Sequence, residues 1–182
     1  MKSGFRFGVN LTTMTIKTKG LVSKPETPLG VHFGYNFEFP IKRNFTFLTG
    51  FIFSSKGSDY KIDTAVISLT PTYIEIPVNI VSNFRLKATI ISLFAGPYLA
   101  CAIGGYKIEP GGGFKYLTFG AGKNKDLKYF DFGFNFGAGV NIKGFLISAQ
   151  YGFGLTNLSP TDYSTMRNKV IGISISSLKK YK

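Results

Sequence analysis

The sequence predicts an all-β protein, an eight-stranded antiparallel up-and-down transmembrane β-barrel. Three observations carry that expectation. Apolar residues recur with period two nearly end to end, so alternate side chains face opposite sides of a sheet. The segments so defined are joined by connections that alternate long and short, as in a meander whose two ends face different surroundings. One face is crowded with rings while the other is small and polar, which suits a barrel bathed in lipid rather than water.

In residues 5–13, Phe5, Phe7, Val9 and Leu11 alternate with Arg6, Gly8, Asn10 and Thr12. In residues 30–40, Val31, Phe33, Tyr35, Phe37 and Phe39 alternate with His32, Gly34, Asn36 and Glu38. Residues 45–54 and 68–81 give the third and fourth strands. Residues 88–106 run for nineteen positions without a charge, enough to cross a bilayer as a helix. Central Gly96 and Pro97, and the β-branched start Thr89-Ile90-Ile91, favour a strand instead. In residues 128–142, Phe130, Phe132, Phe134, Phe136, Ala138 and Val140 oppose Asp131, Gly133, Asn135, Gly137, Gly139 and Asn141. Residues 145–155 and 168–178 complete the eight. The long connections are 14–29, 55–67, 107–127 and 156–167, and the short ones are 42–44, 82–87 and 143–144. The whole chain of 182 residues reads as one barrel domain, 1–182.

Closure removes the open edges that a meander leaves. The apolar faces carry seventeen rings, from Phe5 and Phe7 through Phe145, Tyr151 and Phe153. An eight-stranded barrel is only wide enough inside for ordinary side-chain filling, so these rings must point outward, into hydrocarbon. In hydrocarbon every backbone amide must be paired, which a closed barrel achieves. Mean hydropathy of only +0.12 is consistent, because half of each strand is polar. A soluble ligand-binding barrel with its rings inside is the alternative. The expected location is the bacterial outer membrane. No apolar leader core precedes the first strand, so a secretory signal is taken to have been removed.

Single Cys101 and single His32 exclude a disulfide framework and a Cys/His zinc site, so neither metal nor cofactor is expected. Any Ser/His/Asp arrangement would have to use His32, and no Gly-x-Ser-x-Gly elbow is present, so the chain is not read as an enzyme. On the polar face, Arg6, Asn10, His32, Asn36, Glu38, Glu75, Asn79, Asp131, Asn135 and Gln150 are expected to form a lumen network, since buried charge must be paired and hydrogen-bonded. The parity of the first hairpin sets Arg6 opposite Glu38, Gly8 opposite Asn36 and Thr12 opposite His32, and implies an Arg6–Glu38 ion pair.

The net charge of +13 points to an anionic partner. Basic residues gather at both rims. Lys42, Arg43, Arg85 and Lys87 stand at the short-turn end, and Lys128 and Lys169 are placed to snorkel from the lipid face toward anionic headgroups. The expected partners are the lipid bilayer, including lipopolysaccharide, and a protein at the outward loops. Nucleic acid is not expected, because rings and charges are segregated to wall and rims rather than interleaved on one surface.

Several segments together resemble a family: Gly30-Val31-His32-Phe33-Gly34-Tyr35, Tyr73-Ile74-Glu75-Ile76-Pro77-Val78, Ala95-Gly96-Pro97-Tyr98, Asp131-Phe132-Gly133 through Gly137-Ala138-Gly139, and the stretch from Tyr151-Gly152-Phe153-Gly154 to Leu158. The chain is similar to the PorT-like outer-membrane β-barrel domain common in Bacteroidetes. That resemblance implies an eight-stranded barrel made with a signal peptide and inserted in the outer membrane, in a family whose namesake is linked to surface-protein secretion. The chain is read as a monomer with a structural or binding role whose long loops face outward. One departure is the terminus, where Leu178 is followed by Lys179-Lys180-Tyr181-Lys182 rather than by a final aromatic. A small-ligand carrier or narrow pore using the polar lumen is the runner-up.

Overall fold

Period-two patterning becomes strand wherever it was read, and the ladder closes on itself. A computed structural model describes residues 1–18, 25–62, 65–87 and 89–180. The described residues form β1 (Lys2–Thr18), β2 (Pro25–Glu26), β3 (Leu29–Lys42), β4 (Phe45–Ser55), β5 (Ser58–Ile62), β6 (Ala65–Leu86), β7 (Thr89–Glu109), β8 (Gly113–Tyr116), β9 (Phe130–Ile142), β10 (Phe145–Gly154), β11 (Ser164–Ser177) and β12 (Lys179–Lys180). Eight of them make the wall, in the order β1-β3-β4-β6-β7-β9-β10-β11, and β11 pairs antiparallel with β1 to shut the ring. The charge-free stretch around Gly96 is strand β7, and no described helix is long and apolar enough to cross a membrane.

The wall strands outrun their expected bounds. β6 and β7 pair from Ser68↔Ile108 down to Leu86↔Thr89, about 60 Å of strand at about 3.3 Å per residue. Tilted by about 40°, that still exceeds the ~25 Å apolar band of an outer-membrane barrel, so this hairpin projects past the band at the long-connection end. Short β2, β5 and β8 extend the same projection. At the opposite end β9 and β10 meet in a two-residue turn, with Lys143 at φ 52° and Gly144 at φ 91°. Positive φ at both central positions matches the twist of the strands, and glycine at the second is free of the Cβ clash.

The faces are as the alternation implies. None of the seventeen rings is buried, and Phe5 and Phe130 are each 60% exposed. They pack on one another along the outer wall, as in the Phe33–Phe53 stack at 5.1 Å between centroids. Leucine, isoleucine and valine fill the rest of this outer surface. An apolar belt around the entire molecule is far larger than a water-facing surface carries, and it is the surface that lipid covers.

Inside, two apolar clusters cap a polar middle. Met14, Tyr60, Leu69, Tyr73, Tyr98, Leu117, Phe119, Leu127 and Leu158 close the long-connection end. Leu48, Val81 and Phe94 pack together toward the short turns. Leu117, Phe119 and Leu127 come from a segment expected to be solvent-facing loop. Instead residues 117–127 fold back over the mouth, held by the Phe119↔Leu127 bridge and by Lys128 N–H donating to Leu158 O at 2.8 Å.

Candidate functional site

The expected lumen residues are buried: Arg6, Asn10, His32, Asn36, Glu38, Glu75, Asn79, Asp131 and Asn135 are each under a tenth exposed, and Gln150 is half-buried. The first hairpin, however, is displaced by four residues from its expected register. Arg6 lies opposite Gly34, Gly8 opposite His32, and Glu38 opposite Lys2. Thr12 accordingly faces Gly57 and not His32. The expected Arg6–Glu38 ion pair therefore does not form. Glu38 instead meets the Lys2 ammonium at 3.2 Å, close enough for an ion pair though not aligned as a hydrogen bond. Side-chain parity allows any even displacement, so the alternation alone could not choose.

Arg6 is held by neutral acceptors. Its Nε and Nη2 donate to Ser174 Oγ at 3.1 and 2.8 Å, and Nη2 also donates to Gln150 Oε1 at 2.7 Å. Ser174 in turn lies 3.0 Å from His32 Nε2, and His32 Nδ1 lies 2.8 Å from Asn10 Oδ1. Because Asn10 Nδ2 donates to Ser54 Oγ, Asn10 Oδ1 is the acceptor from His32 Nδ1–H, and Nε2 then accepts from the Ser174 hydroxyl. Gly8 makes room for this ring, since a Cβ there would lie 2.5 Å from it.

The centre of the lumen belongs to a residue that lies just beyond the expected strand 45–54. β4 and β5 both pair with β6 in one register, and Lys56 and Gly57 link them. Lys56 N–H donates to Pro71 O at 2.9 Å, while Gly57 exchanges hydrogen bonds with the Thr12 hydroxyl. The β6 register is unshifted across these two residues, so Lys56 keeps the inward parity of Ile52 and Ser54, and its side chain is 2% exposed. Its Nζ sits 2.7 Å from Glu75 Oε2 and 3.6 Å from Asp131 Oδ2, and 4.5 Å from the centroid of the Tyr98 ring. Tyr98 OH and Asn168 Nδ2 both donate to Asp131 Oδ2, at 3.1 and 2.8 Å, and Asn135 Nδ2 reaches Glu75 Oε1 at 3.4 Å. With Arg6 and Lys56 against Glu75 and Asp131, and Lys2 against Glu38, this interior balances.

That balance was the available clue. Placing Lys128 and Lys169 on the lipid side leaves Arg6 as the only interior strand cation against Glu38, Glu75 and Asp131, a deficit of two positive charges. Buried carboxylates are not left unpaired, so two further cations had to enter from outside the strands as read. Lys2 and Lys56 are those two.

Among the described residues the middle of the lumen is filled by side chains. The cavity between Arg6, His32, Lys56, Glu75 and Tyr98 has a volume of about 10 Å³, room for about one water. At the rims, Lys42, Arg43, Arg85, Lys87 and Lys169 are exposed as expected, whereas Lys128 is half-buried and precedes β9 rather than lying within it.

A sealed ring with an apolar exterior has one class of surroundings, and the match to known families agrees. A model described as "Outer membrane protein beta-barrel domain" matches residues 2–159. The chain belongs to that family. It is an outer-membrane β-barrel protein. Among solved structures, it is similar to the outer membrane enzyme PagL (9% identity, 93% of this chain and 97% of that chain covered, TM-score 0.49). It is also similar to Ail, the attachment invasion locus protein of Yersinia pestis, in complex with the heparin analogue sucrose octasulfate (15% identity, 96% and 97% covered, TM-score 0.43). A third likeness is to OprG from Pseudomonas aeruginosa (12% identity, 97% and 92% covered, TM-score 0.44). No curated protein matches the chain.

Within this barrel Ser174, His32 and Asn10 stand in the order of a nucleophile, its base and an orienting group. Two features deny them that work. Ser174 Oγ already accepts two bonds from Arg6, and the ~10 Å³ cavity admits no substrate. The three are part of the packing of the lumen.

At the mouth, Asp126 fastens the folded-back segment. Its Oδ1 is 2.6 Å from Lys107 Nζ, and its Oδ2 accepts from the Thr118 amide and hydroxyl, both at 2.8 Å. Partial burial acts to raise the Asp126 pKa, but the hydrogen bonds from Lys107 and Thr118 outweigh it and hold the carboxyl below its ordinary value. A depressed carboxylate stabilises the folded form above its unfolded pKa and loses that contribution as pH falls through the folded one. Amides of residues 117–127, corrected for intrinsic exchange, are therefore expected to lose hydrogen-exchange protection as pH falls through and below the ordinary carboxylate range. The β9–β10 ladder should keep its protection. Asp126→Asn should be less protected at neutral pH and nearly flat with acidification; an equally steep profile in that variant would show that another group fastens the segment.

Proposed function

We propose that this protein is a sealed, monomeric outer-membrane barrel of PorT-like type. It acts as a structural or binding protein through its outward long-connection end, in a role accessory to surface-protein secretion and without enzymatic activity of its own. The observation that carries this reading is the closed lumen: a charge-balanced belt around Lys56 between two apolar clusters. Transport through such an interior would require breaking buried ion pairs, so recognition is left to the loops and the wall. The PorT-like assignment is supported by the Tyr73-x-Glu75-x-Pro77 strand, whose three named residues all face the lumen and are buried. Glu75 pairs with Lys56, and the Tyr73 ring lies 5.2 Å from the same ammonium. This motif thus does a definite job, gripping an inward lysine. Closure of the wall, with no unpaired edge strand at membrane depth, supports a monomer.

The carrier or pore reading needs space that the ~10 Å³ cavity does not give. Planar-bilayer recording on the refolded full chain is expected to be silent at moderate voltage. Discrete, reproducible openings that survive repurification would overturn the sealed-lumen reading and restore the pore.

A further inference from the structure

The outer face of β11 changes character toward the long-connection end. Ile175, Ile173 and Ile171 are exposed and apolar; Lys169 and Arg167 follow on the same face, also exposed, and then Thr165. Pairing sets Lys169 between Thr13 of β1 and Phe153 of β10, and Arg167 beside Thr15. Side chains two apart on a strand share a face about 7 Å apart, so the two cations stand one above the other on the wall. They line a groove of about 410 Å³ with Thr15, Phe153, Leu155 and Thr165. No carboxylate among the described residues lies within 4 Å of either cation. The next row inward is Leu11, Ile171, Tyr151 and Phe136.

A lysine and an arginine on the lipid-facing wall are tolerable only at headgroup depth, where the cost of a charge falls toward zero. Directly beneath them lies the apolar, aromatic surface on which acyl chains pack. Two adjacent cations with no carboxylate partner among the described residues match a phosphate monoester, which carries −1.5 to about −2 charge near neutral pH, better than a singly charged phosphodiester. The Arg167 guanidinium can grip two phosphate oxygens at once while Lys169 adds a point charge. Flanking Thr15 and Thr165 offer hydroxyls suited to sugar oxygens.

We propose that the Arg167–Lys169 groove binds the phosphate of a phosphorylated glucosamine lipid of the outer leaflet, with its acyl chains lying on Ile171, Leu11 and Tyr151. The leaflet assignment rests on the outward orientation of the long connections proposed above. The binding chemistry itself does not depend on whether the lumen conducts, so the bilayer recording and the present test can fail separately.

Native mass spectrometry of the detergent-refolded full chain, titrated with monophosphoryl lipid A, tests it. Arg167→Gln with Lys169→Gln is expected to weaken binding about 30-fold, from two headgroup-depth charges. The charge-keeping swap Arg167→Lys with Lys169→Arg should retain most of the binding, and Lys42→Gln with Arg43→Gln at the other rim should leave it unchanged. A heat-dependent gel shift in each variant shows that the barrel is intact. Equal binding of dephosphorylated lipid A, equal binding of phosphatidylglycerol, or an equal loss in the Lys42/Arg43 control would each overturn the proposal.

Discussion

Replacing Lys56 with Met is expected to destabilise the barrel by about 3–5 kcal/mol, the scale of removing one partner from a buried ion pair. The side chain is nearly isosteric, so little of this comes from lost volume. What remains is Glu75 and Asp131, 7% and 0% exposed, facing each other's charge with no cation between them. Asp131 keeps its bonds from Tyr98 and Asn168, and Glu75 keeps only the long contact to Asn135. Adding Glu75→Gln to Lys56→Met should therefore recover part of the loss, giving a coupling well above the ~0.5 kcal/mol scatter of independent sites. The chain has no tryptophan, so the readout is far-UV circular dichroism against urea in refolded samples. A loss under about 1 kcal/mol, or additivity of the two changes, would mean that the ammonium is hydrated rather than buried between the carboxylates.

Lys56 also marks where the sequence stops being legible. Alternation in Phe5–Phe7–Val9–Leu11 and Phe130–Phe132–Phe134–Phe136 fixes strand and face together, because the period of two is a property of the backbone itself. It cannot fix register, since shifting a partner by four residues preserves every face; this is why Glu38 meets Lys2 and not Arg6. Nor does it fix where a strand ends: Lys56 continues the inward parity of Ile52 and Ser54, just past the expected end of the third strand at residue 54. Lys56 and Gly57 lie between two strands that pair with the same neighbour, and in sequence they look like the start of a loop. The mouth plug was half visible: Leu117, Phe119 and Leu127 are apolar residues in a connection that ought to have been polar. Their spacing carries no period to say what they cover, and the answer depends on Asp126 drawing residues 117–127 toward Lys107. In the lumen network, residue types were legible and partners were not. Arg6 finds Ser174 and Gln150, far away in sequence, only because closure of the ring brings β11 against β1 and β10 against β11.

The second large effect tests the outer face. Phe136 lies midway along β9 in the stripe Phe130, Phe132, Phe134, Phe136, Ala138, Val140, Ile142, is 48% exposed, and packs against Tyr151 with ring centroids 5.5 Å apart. On a water-facing surface Phe136→Arg would cost little, because the guanidinium would be solvated. With hydrocarbon outside it should cost about 2–4 kcal/mol, the value for arginine near the bilayer midplane. Ile142→Arg offers the control that separates lipid from water. It lies on the same strand and face, equally exposed, but ends β9 at the Lys143–Gly144 turn, where its cost should fall to about 0–1 kcal/mol. Both variants are measured by unfolding of the chain refolded into vesicles. A solvent-exposed belt predicts near-equal, small effects at the two sites, and an inward-facing stripe predicts large effects at both through overpacking of the lumen. Only a lipid face makes the penalty depend on depth along a single stripe.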